Sequence, residues 1–303
     1  MASGNENIEF SGADDNKLAG QAFGDPRGMP VLLLHGGGQT RHAWGNTAEV
    51  LADAGFHAIA LDSRGHGDSD WAADADYSAG AMIRDLASVM HQLGRPAALV
   101  GASMSGGVSL LLEGETHRTD VALSTRPRAT SIVLVDAGTR LEFDGAMRIR
   151  DFMTSAPDGY ASLEEAADAI AAYLPNRPPP SSLDGLRKNL RQGDDGRWRW
   201  HWDPQFMDGP RKPVELIDTV RLDRAAARLE VPVLVVRGRL SEVVSEEGAR
   251  HMVDVIPDCE FVDVSDAGHM VAGDRNDAFC SAVVEFLSRV HANERARVRN
   301  RRN

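Results

Sequence analysis

Residues 97–107 read Ala-Ala-Leu-Val-Gly-Ala-Ser-Met-Ser-Gly-Gly, an apolar run that passes directly into small residues around Ser103. The pattern predicts a buried strand over 97–100 and a helix over 104–113, joined by a turn with almost no loop. A serine at such a turn carries its hydroxyl clear of the sheet, and Gly101 and Ser105 are small because the backbone doubles back beside them. The helix that starts at Met104 points its first backbone N–H groups toward negative charge developing next to Ser103. Taking Ser105 as the exposed serine would put Ser103 where glycine is expected and leave the strand too far away. Ser103 is therefore the candidate nucleophile.

Outward from this turn, short apolar runs alternate with segments of helical period, the rhythm of parallel strands joined by crossover helices. Upstream, strands are expected over 8–10, 18–23, 31–34 and 57–61, with a Gly-Asp-Pro-Arg-Gly turn at 24–28 and helices over 43–54 and 79–93. Another strand is expected over 131–135. After Asp136 the rhythm breaks into helices over 148–154, 162–173 and 182–190 with no strand between them. The three consecutive prolines within 176–180 and the Gly- and Trp-containing loop 193–204 act as joints there. From residue 231 the alternation resumes, with strands over 233–236 and 260–264 and helices over 246–255 and 277–290. The expected organisation is a core formed by 1–138 and 226–292, a helical lid inserted at 139–225, and a flexible basic tail at 293–303. That tail crowds Arg295, Arg297, Arg299, Arg301 and Arg302 into a segment with almost no apolar residues, the composition of a frayed, solvated terminus. Asp274-Arg275-Asn276-Asp277 is read as the cap of the last helix.

Upstream of the elbow, the strand over 31–34 ends in His35-Gly36-Gly37-Gly38-Gln39. Its glycines let backbone amides approach a ligand without side-chain obstruction. Acyl transfer needs two donors for the tetrahedral oxyanion, and the amides of Gly37 and Met104 are the candidates. The loop lacks the Lys-Ser or Lys-Thr ending of a phosphate loop and the spaced glycines of a dinucleotide fingerprint. His35 itself is read as structural. Near the other end, His269 follows the strand over 260–264 and can act as general base, turning a weakly nucleophilic hydroxyl into an attacker. What singles it out among ten histidines is chain order, since acid and base follow the serine in proteins with this elbow. Glu242, beyond the strand over 233–236, fits the acid position, and Asp136 and Asp266 compete for it.

Together these segments resemble the α/β-hydrolase superfamily from about Lys17 to Val290. The resemblance also covers Leu61-Asp62-Ser63-Arg64-Gly65-His66-Gly67-Asp68-Ser69-Asp70, similar to the family's loop after the strand preceding the elbow. In Arg237-Gly238-Arg239-Leu240-Ser241-Glu242, relatives usually carry aspartate where Glu242 stands. The implied fold is α/β, a mostly parallel central sheet flanked by helices. The implied triad is Ser103, Glu242 and His269, with no metal and no organic cofactor. Within the superfamily the chain is similar to lidded serine esterases, cofactor-free haloperoxidases and carbon–carbon bond hydrolases. Epoxide hydrolases and haloalkane dehalogenases of this fold use an aspartate nucleophile, against which Ser103 argues. Some members of the fold instead bind ligands without turnover. In the lid, Trp198, Trp200 and Trp202 alternate with charged or polar residues, as pocket wall or as strand-like burial against the core. Phe152 and Met147 are further candidates for the substrate cleft.

Bulk properties narrow the partners. Hydrophobic residues at 42% and charged residues at 26% give an ordinary globular balance, which excludes a disordered chain. A formal net charge of -12 disfavours nucleic acid and anionic membrane surfaces and points to a neutral or only locally charged substrate; the expected substrate is a small to medium neutral or aromatic molecule. A homodimer is compatible with this composition. The opening residues have neither the basic segment nor the apolar stretch of a secretory signal. With two cysteines and no Cys-X-X-Cys pair, neither a disulfide framework nor a thiolate zinc site is expected, and the cytoplasm is the expected compartment.

Overall fold

The computed structural model describes residues 5–115, 121–175, 182–213, 216, 218–269 and 276–302, with 121, 122, 276 and 297–302 described by backbone alone. The proline run at 176–180 and the capping residues 274 and 275 lie outside the described residues. In chain order the core begins with β1 (Glu6–Ser11), β2 (Lys17–Phe23), β3 (Met29–Leu34), α1 (Gly45–Asp53), β4 (Phe56–Leu61), α2 (Ala79–Leu93), β5 (Ala97–Ala102), α3 (Met104–Gly114), α4 (Val121–Thr125) and β6 (Ala129–Val135). The inserted segment carries α5 (Phe143–Thr154), α6 (Leu163–Tyr173), β7 (Leu190–Gln192), β8 (Trp198–Trp200) and α7 (Gln205–Asp208). The core is completed by α8 (Thr219–Ala226), β9 (Val233–Gly238), α9 (Glu246–Val255), β10 (Cys259–Val264) and α10 (Asn276–Arg302).

Eight strands form one sheet in the order β1-β2-β4-β3-β5-β6-β9-β10. β1 and β2 pair antiparallel at one edge, β2 is antiparallel to β4, and all later pairs are parallel. A parallel strand covered on both faces is apolar nearly throughout, and all seven residues of β6 are buried. One face packs on α1 and α10 through Trp44, Leu51, Phe279 and Phe286. The other packs on α2, α3, α8 and α9, with Met82, Leu111, Leu222 and Met252 in its core. The architecture is the expected α/β-hydrolase fold.

Two local expectations are corrected. The insertion is not purely helical: β7 and β8 form an antiparallel hairpin inside it, pairing Leu190 with Trp200 and Gln192 with Trp198. Residues 197–202 alternate aromatic with polar side chains, and that period of two belongs to a strand. The basic tail does not depart from the last helix, because α10 continues to Arg302. Arginine, alanine and glutamate, which dominate 292–302, are good helix formers.

The insertion is tied to the core at both ends. Where α5 crosses the core, a Cβ on Gly145 would fall 1.9 Å from the Glu242 carbonyl oxygen, so only glycine fits. At the far end, the Asp203 amide donates to the Gly65 carbonyl at 2.8 Å, and the Gly67 amide donates to the His201 carbonyl at 2.8 Å. The Tyr77 hydroxyl donates to the Asp203 carboxylate at 2.5 Å.

Candidate active site

The turn at Ser103 is as tight as its small residues predict. Ser103 sits at φ 46 and ψ -111, a region that side-chain-bearing residues rarely occupy. Its amide donates to the Val135 carbonyl at 2.9 Å, and its carbonyl accepts from the amides of Gly106 and Gly107, so strand and helix grip it from both sides. A Cβ on Gly101 would lie 2.6 Å from the Ser105 carbonyl oxygen, which is why this flank must be bare. On the other flank a side chain is accommodated. The Ser105 hydroxyl donates to the His35 carbonyl at 2.5 Å, joining α3 to the glycine loop after β3.

That loop lies against the turn. A Cβ built on Gly36 would be 3.5 Å from the Ser103 Cβ, and one on Gly37 would be 3.8 Å from the Met104 Sδ. Among the described residues neither the Gly37 nor the Met104 amide has a protein partner. The Met104 amide is one of the first-turn donors of α3 that no helical carbonyl can reach. Two unengaged donors beside one serine are what a developing oxyanion requires.

His269 comes from the loop after β10, and its Nδ1 lies 2.5 Å from an Asp136 carboxylate oxygen. Asp136 follows β6, is 1% exposed, and has φ 44. The same carboxylate oxygen accepts from the Ser241 hydroxyl at 2.5 Å, and its other oxygen accepts from the Gly238 amide at 3.3 Å. Glu242, expected as the acid, is not brought to His269. Its side chain is 60% exposed and forms an ion pair with Arg148 of α5. The chain turns at 238–241 so that Ser241 faces inward to Asp136 and Glu242 faces the insertion. Of the three carboxylates weighed from the sequence, the one in contact with His269 is Asp136 and not the expected Glu242. Asp266, the other alternative, is exposed in the turn after β10.

Ser103 and His269 line a common cavity of about 440 Å³. Its floor is the glycine loop and the elbow, and its walls come from the insertion. Of the five wall candidates, Phe152, Trp200 and Trp202 line it, whereas Trp198 and Met147 do not. Phe152 stacks on Tyr173 with ring centroids 4.2 Å apart and meets Trp200 edge-on at 5.7 Å. Trp198 packs with Tyr160 and Leu163 inside the insertion and carries the Arg187 guanidinium 4.9 Å over its ring. Ile149, Met153, Ile170 and Tyr173 complete the apolar wall, which the sequence pattern did not separate from ordinary helix core. No carboxylate lines this cavity among the described residues. Among the described residues no three His, Cys, Asp or Glu side chains gather as metal ligands, and no helix is long and apolar enough to cross a membrane.

Comparison with known proteins places the chain. The profile of the family described as "Alpha/beta hydrolase family" matches residues 31–282. The chain is 29% identical over 225 residues to an esterase of Mycobacterium tuberculosis, Rv0045c, covering 72% of this chain and 68% of that protein. It is 28% identical over 272 residues to a 3-hydroxybutyrate-oligomer hydrolase of Cupriavidus necator, covering 86% of this chain and 89% of the relative. A crystal structure of an alpha/beta hydrolase from Novosphingobium aromaticivorans superposes with a TM-score of 0.76 at 25% identity, covering 94% of this chain and 98% of the other. A profile that spans most of the sequence, on a sheet and elbow of this form, establishes that the chain belongs to the alpha/beta hydrolase family.

Proposed function

We propose that this protein is a serine-dependent carboxylic ester hydrolase that works through an acyl-enzyme on small to medium neutral or aromatic substrates. The observation that carries the reading is the buried Asp136 carboxylate 2.5 Å from the Nδ1 of His269, with His269 and the strained Ser103 on one cavity. A carboxylate on Nδ1 holds the proton there and leaves the Nε2 lone pair free to act as base.

In the first half-reaction Ser103 Oγ bonds to the ester carbonyl carbon while its proton passes to His269 Nε2. The carbonyl oxygen becomes an oxyanion held by the Gly37 and Met104 amides. On collapse, the bond from carbon to the alkoxy oxygen breaks and His269 returns the proton to the departing alcohol. Water then attacks the acyl carbon, His269 takes its proton and gives it to Ser103, and the acid leaves. Asp136 stays ionised throughout and stabilises the imidazolium. The 139–225 insertion acts as a lid whose Phe152, Trp200 and Trp202 exclude water and hold an apolar acyl or alcohol group. The wall is mostly apolar and aromatic, with Lys188 and His42 among its few polar side chains, which suits an apolar substrate group, and the esterase relative supports the ester reading.

The test is labelling with a fluorophosphonate, then peptide mapping, alongside Ser103→Ala. The expected adduct is on Ser103, and the alanine variant should lose about 10⁴-fold or more in kcat with an unchanged melting temperature. Undiminished turnover in a folded Ser103→Ala protein, or an adduct elsewhere, overturns the reading.

A further inference from the structure

The glycine loop is held by two buried histidines that the reaction above does not use. His35 and His66 are both fully enclosed, their ring centroids 5.1 Å apart. His35 Nδ1 lies 2.7 Å from the Gly36 carbonyl oxygen, and its Nε2 accepts the Ser63 amide at 3.0 Å. His66 Nδ1 lies 3.0 Å from the Arg64 carbonyl oxygen, and its Nε2 accepts the Gly38 amide at 3.1 Å. In each ring one nitrogen faces a carbonyl and the other faces an N–H, which fixes a neutral imidazole protonated at Nδ1. Burial, with the His35 ring beside it, pushes the His66 pKa down to about 3, and burial likewise lowers that of His35.

These contacts bracket the Gly37 amide. The Gly36 carbonyl accepts from His35 Nδ1 and from the Gln39 amide, and in a trans peptide the N–H of the next residue points the opposite way. The Gly36 amide is taken by the Gln39 side chain at 3.0 Å and the Gly38 amide by His66. Of three consecutive amides, the outer two are engaged, and the Gly37 amide, on the cavity wall, has no partner among the described residues. We propose that His66 is a positioning residue for the oxyanion: by accepting the Gly38 N–H it locks the peptide after Gly37 and keeps the Gly37 amide turned to the cavity. Phe206 of the insertion backs this clamp, edge-on to His66 with centroids 4.8 Å apart and 3.3 Å from a Cβ position on Gly37. The clamp rests on the ester hydrolase reading, because it serves a charge that exists only in the transition state.

The test compares His66→Phe, which keeps a planar aromatic ring but removes the acceptor and the Nδ1 donor, with His66→Gln, whose side-chain oxygen can still accept the Gly38 N–H. With a p-nitrophenyl ester, His66→Phe should lose about 10- to 100-fold in kcat while KM stays within about 3-fold, since a small misplacement of a transition-state donor acts on kcat. His66→Gln should recover most of that loss. Affinity for an aryl trifluoromethyl ketone, which forms a tetrahedral adduct, should fall with kcat, while affinity for the product acid stays unchanged. Independently of any variant, imidazole nitrogen NMR of the unaltered chain should show His66 protonated at Nδ1 and bare at Nε2 from pH 5 to 8. An Nε2-protonated tautomer, or a folded His66→Phe protein with undiminished kcat, overturns the proposal. If the unaltered chain neither cleaves an ester nor binds the ketone, it is the ester hydrolase reading that fails.

Discussion

Asp136 and Glu242 stand beyond the adjacent strands β6 and β9, and the molecule treats the two carboxylates in opposite ways. Asp136 is buried, and its oxygens meet His269, the Ser241 hydroxyl and the Gly238 amide. Glu242 is exposed and binds Arg148 of the first helix of the insertion. Buried carboxylates need such partners, because removal from water is otherwise prohibitive. An exposed pair needs none and contributes little. The comparison teaches that which carboxylate meets His269 is set by where the imidazole comes down, not by chain order after Ser103 alone. Both residues follow Ser103, so order could not separate them.

The comparison can be broken most directly at Asp136. Asp136→Asn keeps the shape but can stabilise neither the Nδ1–H tautomer nor the imidazolium, and kcat should fall by about 10³- to 10⁴-fold. Steady-state kinetics on the folded variant checks this, and near-normal turnover would return Glu242 to the acid's place. Ser241→Ala tests the same site one hydrogen bond further out. It removes a donor to the carboxylate, and kcat/KM should drop by about 10-fold, the size of a bond to a charged group. The smallest effect is expected at Glu242. Glu242→Gln should leave kcat within about 2-fold, and a double-mutant cycle with Arg148→Ala should give a coupling of about 0–1 kcal/mol in stability, as for an exposed ion pair.

Much of this was legible in the sequence because it depends on local pattern. Apolar runs and helical period gave the sheet and its covering helices, small residues around Ser103 gave the elbow, and a histidine beyond the penultimate element gave His269. Where the reading went astray, the deciding contact was non-local. The bond from Asp136 to His269 spans 133 positions, and nothing near Glu242 announces that it faces outward. The hairpin was written in the alternation of Trp198, Trp200 and Trp202, but three-residue strands are short enough to pass for loop. His66 gave no signal of its own. Its partner is a backbone amide 28 residues away, supplied by any residue type and so invisible in the sequence.

The backbone at Ser103 carries a longer-term consequence. With φ at 46, a side chain there costs about 1–3 kcal/mol that glycine would not incur, and the surrounding sheet and helix must supply it. On the proposed mechanism, drift toward a longer-lived fold and selection for turnover therefore pull this one position in opposite directions. A descendant released from that proposed role is expected to lose the serine early and keep the scaffold, becoming a more durable protein with a pocket and no reaction.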